Sequence, residues 1–391
     1  MCTSRNTVAA AALITVFLAI SVCEASCNYV LSGDINKDCR VDFNDFVALA
    51  QNWLIDCGSD FQNPACHCDI RWAAEPPMLT GRNSFCGGLI NGRIYIFGGN
   101  DPDQKDLKSA ESYDPNTMQW VEVADNNHND GQGVEELTSA VVNGKLYVFG
   151  AWGWNPSERH SMVINFNEMY DPVTNTWTTL WRKPTTVAAA PATVYKDEIY
   201  LFGGYFRQDS DSQSVSYRTV ESYRPSNNTW RFVTSMPRDI SNMAVATIGD
   251  KAYLFGGAEL ISEDPLQILI LDDVITYDFQ TGLWDTSGFT HLPVKMAYSY
   301  YGAAPIIDGK VYLIGEYEED SSGYRWSNRI DIYDPVTNTW EKGPSLPMPL
   351  DGHVALAIGH KIYALGGRNN WSFKNGPQSG VISLGTRFCS E

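Results

Sequence analysis

Positive charge is scarce in this chain: its 391 residues carry 28 Lys and Arg against 46 Asp and Glu, a formal net charge of -18. A field of that sign repels phosphate backbones and anionic headgroups, so no nucleic-acid partner is expected. Long apolar runs are missing beyond Ala25, and no later segment has the length and apolarity to span a bilayer. The sequence contains no Gly-rich phosphate loop, no nucleophile elbow and no cluster of zinc-ligand spacing, which leaves kinases, serine hydrolases and zinc proteases without support. Helical periodicity is absent over most of the length. Instead there are 32 Gly, 19 Pro and 12% aromatic residues, the composition of an extended-strand protein with chain enough for a large core.

The segment from Met1 to Ala25 has the order of an export signal. Arg5 supplies the positive end, Val8 to Val22 is apolar, and Cys23-Glu24-Ala25 offers a small-residue cleavage site before Ser26. The expectation is a cleaved signal rather than a lipid anchor, because Val22 precedes Cys23 where a modified cysteine needs a small residue. The mature protein is therefore expected to be secreted, periplasmic or at the cell surface, where disulfides are permitted.

Residues 26–66 form a small module with calcium-loop spacing. Asp34, Asn36, Asp38, Asp42 and Asp45 occupy loop positions 1, 3, 5, 9 and 12, with the Arg40 carbonyl available at 7. A hard cation such as Ca²⁺ takes about six to eight oxygens, and such a loop turns alternate carboxylates inward before handing the chain to a helix. That helix is predicted next, with Phe46, Leu49, Ala50, Trp53 and Leu54 on one apolar face. The module resembles half of a dockerin, and also the single-loop cysteine-rich variants of other exported bacterial proteins. Like dockerins it has Asp45 rather than Glu at position 12; unlike them it has Cys39 at the turn glycine and no second copy. The resemblance implies Ca²⁺ as cofactor and a cohesin-like or cell-surface partner.

Repeats govern the rest. Six strand-like runs end in Tyr, two apolar residues and Gly: Tyr95 to Gly98, Tyr147 to Gly150, Tyr200 to Gly203, Tyr253 to Gly256, Tyr312 to Gly315 and Tyr363 to Gly366. The first five are each followed by a second Tyr with a Trp seven residues on: Tyr113/Trp120, Tyr170/Trp177, Tyr223/Trp230, Tyr277/Trp284 and Tyr333/Trp340. A period near 50 residues means a repeat architecture. Over residues 69–391 these motifs resemble the kelch repeats of β-propellers. The resemblance implies one four-stranded blade per unit, with strands A to D running from the axis outward, and hence an all-β, six-bladed propeller beside the small α-helical calcium-loop module. Ala151 and Glu316 replace the second glycine in blades two and five.

Spacing predicts how the ring closes. Trp177 precedes Tyr200, Trp230 precedes Tyr253 and Trp340 precedes Tyr363 by one constant interval, and Trp72 stands at that same interval before Tyr95. The strand at Trp72 should therefore complete the last blade, whose C strand lies near Val381 to Leu384. Removing the signal leaves Cys27, Cys39, Cys57, Cys66, Cys68, Cys86 and Cys389. A Cys68–Cys389 bond would lock the closure, while the alternative pairs Cys66 and Cys68 within the module. For Cys66-His67-Cys68, disulfide chemistry is the expectation over zinc.

The repeat Tyr, Trp and Gly are expected to be scaffold, which leaves function to loops presented by a rigid frame. In an up-and-down blade the B–C and D–A loops emerge on one face, and here they are the long ones. Arg218, Glu316, Arg325, Trp326 and Arg368 fall on B–C loops, and Arg82, Glu135 and His353 on D–A loops; these are the ligand-binding candidates. Rings beside guanidinium and carboxylate groups suit either sugar faces or a protein surface. The expectation is a monomeric, noncatalytic binding protein for a carbohydrate or an extracellular protein, positioned by the calcium module. The alternative is an exported sugar-active enzyme such as the sialic acid mutarotases, which are also six-bladed kelch propellers; no motif specifies its catalytic residues. A copper oxidase of the galactose oxidase type is disfavoured because His353 and His360 fall on opposite faces, and an intracellular ubiquitin-ligase adaptor is disfavoured by the signal segment.

Overall fold

The computed structural model describes residues 72–127, 131–210, 212, 214–263, 266–298, 303–320, 323–368 and 380–385. The chain divides into two units, Met1–Asp69 with Phe388–Glu391 and Ile70–Arg387, and every described residue lies in the second. The expected metal ligands Asp34, Asn36, Asp38, Arg40, Asp42 and Asp45, the helix that follows them, and Cys68 and Cys389 lie outside the described residues, as does the export signal.

All regular structure among the described residues is β, and six of the sheets carry the four-stranded antiparallel repeat. The first consists of Cys86–Ile90, Arg93–Phe97, Ala110–Asp114 and Gln119–Val123, in that spatial order. Strands A and B are joined by two-residue turns. In Asn91-Gly92, Asn143-Gly144 and Asp308-Gly309 both residues have positive φ, the primed-turn geometry that matches strand twist and favours Asn, Asp and Gly.

The second Tyr and the Trp of each repeat then act as one unit. Their rings pack with centroids 4.8–5.1 Å apart in five sheets. Between them the C–D turn places Asn175, Asn228 and Asn338 in the left-handed conformation, and their side-chain oxygens accept the hydroxyls of Tyr170, Tyr223 and Tyr333 at 2.7, 2.8 and 2.9 Å. Each indole reaches back to the preceding blade: Trp120 Nε1 donates to the Pro76 carbonyl, Trp177 to Ala124, Trp230 to Trp181 and Trp340 to Thr290, at 2.7–3.0 Å. Trp284 is the exception, its buried Nε1 having no acceptor. Packing between sheets follows from the same residues, for Tyr253, Phe255, Ile332 and Tyr333 share one core cluster with Ala355 and Ile362 of the next sheet.

Ring closure is as the spacing predicts. Trp72–Glu75 pairs antiparallel with Val381–Gly385, Trp72 opposite Leu384 and Glu75 opposite Val381. Trp72 Nε1 donates to the Pro344 carbonyl at 3.2 Å, repeating the indole contact of the other blades. Pairing the two ends of the described chain covers the edge that Val381–Gly385 would otherwise expose. The inner strands Cys86–Ile90, Thr138–Val142, Ala192–Tyr195, Ala244–Ile248, Ile306–Ile307 and Val354–Ile358 surround a mostly apolar axial cavity of about 380 Å³.

Candidate functional site

The D–A loops end on a ring around the mouth of that cavity. Ser84, Glu136, Ala189, Asn242 and Gly352 all have positive φ, between 49° and 66°. Main-chain bonds pass from one to the next: Ser84 N donates to Gly352 O (2.8 Å), Glu136 N to Ser84 O (2.8 Å), Ala189 N to Glu136 O (3.4 Å) and Tyr298 N to Asn242 O (2.7 Å). Just before each ring residue, one position bridges the residue that follows the repeat glycines: Asn83 with Asn100, Glu135 with Trp152, Ala188 with Tyr205, Ser241 with Ala258, Ala297 with Tyr317 and Asp351 with Arg368. Loops distant in sequence thereby deliver their side chains to one place.

Acidic and basic groups meet there. Asn100 Nδ2 donates to Glu135 Oε2 at 2.7 Å, and the Tyr205 hydroxyl donates to Glu136. Burial, with the neighbouring Glu136 and Asp106, holds the Glu135 carboxyl well above the ordinary carboxylate range, and burial raises Glu136 as well. Burial also lifts Asp106 to about 6. Arg207 and Arg368 oppose these shifts from two sides. The Arg207 guanidinium lies 4.2 Å from the Trp152 ring centroid, and that of Arg368 lies 5.5 Å from Trp326 while its Nε donates to Asp351 at 2.8 Å.

A pocket of about 460 Å³ opens beside Arg368, walled by Tyr317, Tyr324, Trp326, Ile268, Asn242 and Asp351. Its aromatic wall follows from strand alternation. In the hairpin Tyr317–Asp320 with Gly323–Trp326, Tyr317 opposes Trp326 and Glu319 opposes Tyr324, so these share one side, and the Tyr317 and Tyr324 rings stack at 5.4 Å. Glu318 opposes Arg325 on the other side, where Arg325 Nε donates to Glu318 Oε1 at 2.5 Å.

Of the eight candidates, the structure brings Glu135, Trp326 and Arg368 to this end of the ring. Arg325 faces away from the pocket, and Arg218 is exposed outside its lining. Arg82 is wholly buried within the first blade, bonding Glu111 at 2.6 Å and the Gly98 carbonyl at 2.9 Å, which makes it a scaffold cation. Lys183 repeats that role with Glu221. Glu316 and His353 are also fully buried, with Oε1 2.7 Å from Nδ1. At the equivalent glycines a Cβ would collide with backbone, 2.3 Å from the Asn83 carbonyl at Gly99; blade five instead holds Glu316 at φ 77°. In blade two Ala151 lies within long strands, Lys145–Asn155 and His160–Asp171, whose register shifts beside it.

Glu136 and Asn100 join the site although they are not among the expected residues. Their repeat positions, one before Leu137 and one after Gly99, were the available signal. Among the described residues Asp272, Asp273 and His291 bring ligand atoms within 4.8 Å of one another, but His291 is exposed and Asp273 is bonded by Arg238 at 2.8 Å.

Among the described residues, hairpins from four successive blades carry an exposed apolar side chain: Trp154 39%, Val215 44%, Ile268 44% and Tyr324 49%. Neighbouring hairpins are tied laterally. Val163 N donates to Arg207 O at 3.0 Å, and the Tyr324 hydroxyl to Ile268 O at 3.3 Å. On the opposite face Met118, Val173, Leu283 and Val336 are exposed on the C–D turns of four blades.

Comparison with known proteins follows the repeats. The attractin/LZTR1 β-propeller family model matches residues 71–315, and the kelch motif model matches residues 299–347. Kelch-like protein 36 of Mus musculus is 27% identical over 304 residues, covering 75% of this chain and 45% of that protein. Beta-scruin of Limulus polyphemus is 28% identical over 335 residues, covering 81% of this chain and 34% of its own length. The chain thus spans less than half the length of either relative. The solved structure of YjhT superposes with a TM-score of 0.63 at 21% identity, covering 79% of this chain and 96% of that one, a likeness of fold. On the match over residues 71–315, this chain belongs to the attractin/LZTR1 β-propeller family, with kelch-type repeats.

Proposed function

We propose that the chain is a six-bladed kelch propeller whose long-loop face binds a protein partner, exported and positioned by the calcium loop at residues 34–45. The observation that carries this reading is the pocket walled by Tyr317, Tyr324, Trp326, Ile268 and Arg368, with exposed Trp154 and Val215 on the hairpins of adjacent blades. Apolar and aromatic groups that wall a depression mark binding sites, whereas Met118, Val173, Leu283 and Val336 on the opposite turns line neither cavity described above. Aromatic and arginine anchors with polar neighbours are also the composition of binding hot spots.

A photo-crosslinking amino acid placed at Trp154 or Tyr324 of the full chain tests this in an extract of the source organism. Discrete protein adducts from these two positions, and none from Val173 or Val336, are expected; adducts from the turn positions alone would overturn it. A sugar ligand is the second reading, favoured by the aromatic wall of Tyr317, Tyr324 and Trp326. Specific binding on a glycan array that is lost in Trp326→Ala, with no protein adduct, would establish that reading instead.

A further inference from the structure

Five arginines among the described residues are buried or half-buried: Arg82, Arg93, Arg207, Arg329 and Arg368. Four of them bond a carboxylate, namely Glu111, Asp114, Asp331 and Asp351. Arg207 does not. Its Nε is buried without a hydrogen-bond acceptor, while the indole of Trp152 covers one face of the guanidinium at 4.2 Å. A guanidinium N–H withdrawn from water and given no acceptor is costly, so its retention at the centre of the loop face points to a group that arrives from outside.

The neighbouring acids do not fill that role. Glu135 accepts from Asn100 and Glu136 from Tyr205, and burial favours the protonated form of both, so they compensate Arg207 only in part. Resting on the protein-binding reading above, we propose that Arg207 on its Trp152 platform is the anchor for an acidic side chain of the partner protein. A carboxylate pairs best in the plane of a guanidinium, a geometry that an indole over one face does not occupy. Exposed Trp154 lies on the same strand as Trp152, Lys145–Asn155, and Val215 on the strand that pairs with Tyr205–Phe206. Those groups would cover the apolar remainder of an inserted partner loop, which favours a peptide carboxylate over a small free anion.

The test is selection of a random heptapeptide display library on the full chain, on Arg207→Gln and on Arg207→Lys. Enrichment of Asp or Glu at one position on the wild-type chain is expected, together with about ten- to hundredfold weaker binding of the selected peptide to Arg207→Gln and partial recovery by Arg207→Lys. The substitution removes no side-chain hydrogen bond but does remove the contact with Trp152, so a fall in melting temperature of at most about 3 °C is expected to accompany it. Should the variant misfold, replacing the peptide's own acid with Asn or Gln and titrating it against wild type reads the same contact. Purely apolar consensus peptides, or equal binding to Arg207→Gln, would overturn the acidic anchor while leaving the protein-binding reading in place. Enrichment of no peptide at all would overturn both.

Discussion

Removing the Glu75 carboxylate should loosen the closure of the ring. Glu75 sits on the strand that pairs with Val381–Gly385, where Oε1 accepts the Ser383 hydroxyl at 2.6 Å and Oε2 accepts the Tyr113 hydroxyl of the first sheet at 3.1 Å. One side chain therefore joins the two sheets that flank the closure. Ser383 and Tyr113 are both buried, so Glu75→Ala deprives two buried hydroxyls of their acceptor. Hydrogen bonds to charged groups contribute about 1.5–3 kcal/mol each in buried settings, and half-burial of Glu75 argues for the low end, about 2–3 kcal/mol in total. For a chain this size that is a fall of roughly 3–4 °C in Tm by scanning calorimetry. Double-mutant cycles with Ser383→Ala and Tyr113→Phe should each show coupling of roughly 1 kcal/mol. A fall below about 1 °C with no coupling in either cycle would refute the bridging role of Glu75.

Three further outcomes follow from the same structure. Asp106, lifted by burial and by Glu136 and Asp101 from an ordinary 3.8 to about 6, holds a proton more tightly when folded, so its effect on stability worsens as pH rises between those values. Asp106→Asn should therefore gain up to roughly 2–3 kcal/mol over wild type near neutral pH and little below about pH 4, measured by urea unfolding; a gain independent of pH would contradict the shift. Asn338→Ala should cost about 2–3 kcal/mol, because its side chain accepts from Tyr333 and Thr290 and donates to Gly288 from a left-handed backbone at φ 55°; Asn338→Gly should recover only the backbone part. For the N-terminal module we expect Ca²⁺ binding by the full chain that is reversible with EDTA and lost in Asp34→Ala; heat-silent calorimetric titrations of the wild type would remove the calcium proposal.

Much of the architecture was legible because repeat spacing is a property of the covalent chain. The constant Trp-to-Tyr interval placed Trp72 in the last sheet, and its pairing with Leu384 and its bond to Pro344 follow that arithmetic. The Tyr and Trp pairs were equally readable, since each fills the same space in every blade. The site was legible only by loop. Arg82 and Arg207 are alike in sequence, yet Glu111 pairs with one and the Trp152 ring covers the other, a difference made by partners far off along the chain. Arg325 and Trp326 are adjacent, but pleating sends them to opposite sides of a hairpin whose register the sequence did not specify. Glu316 sits on the expected loop and is nevertheless buried against His353, because the chain keeps the glycine-type backbone there.

The most direct measurement of partner binding by the long-loop face is quantitative affinity capture from source-organism extract, comparing wild type with two paired variants. Trp154→Asp/Tyr324→Asp places charge on the rim, and Val173→Asp/Val336→Asp places it on the opposite turns; all four residues are exposed, so both variants should fold. A protein retained by wild type and by the opposite-face variant, and lost from the rim variant, is the predicted result. Retention by the rim variant with loss from the opposite-face variant would contradict it and move the binding surface to the other end of the propeller.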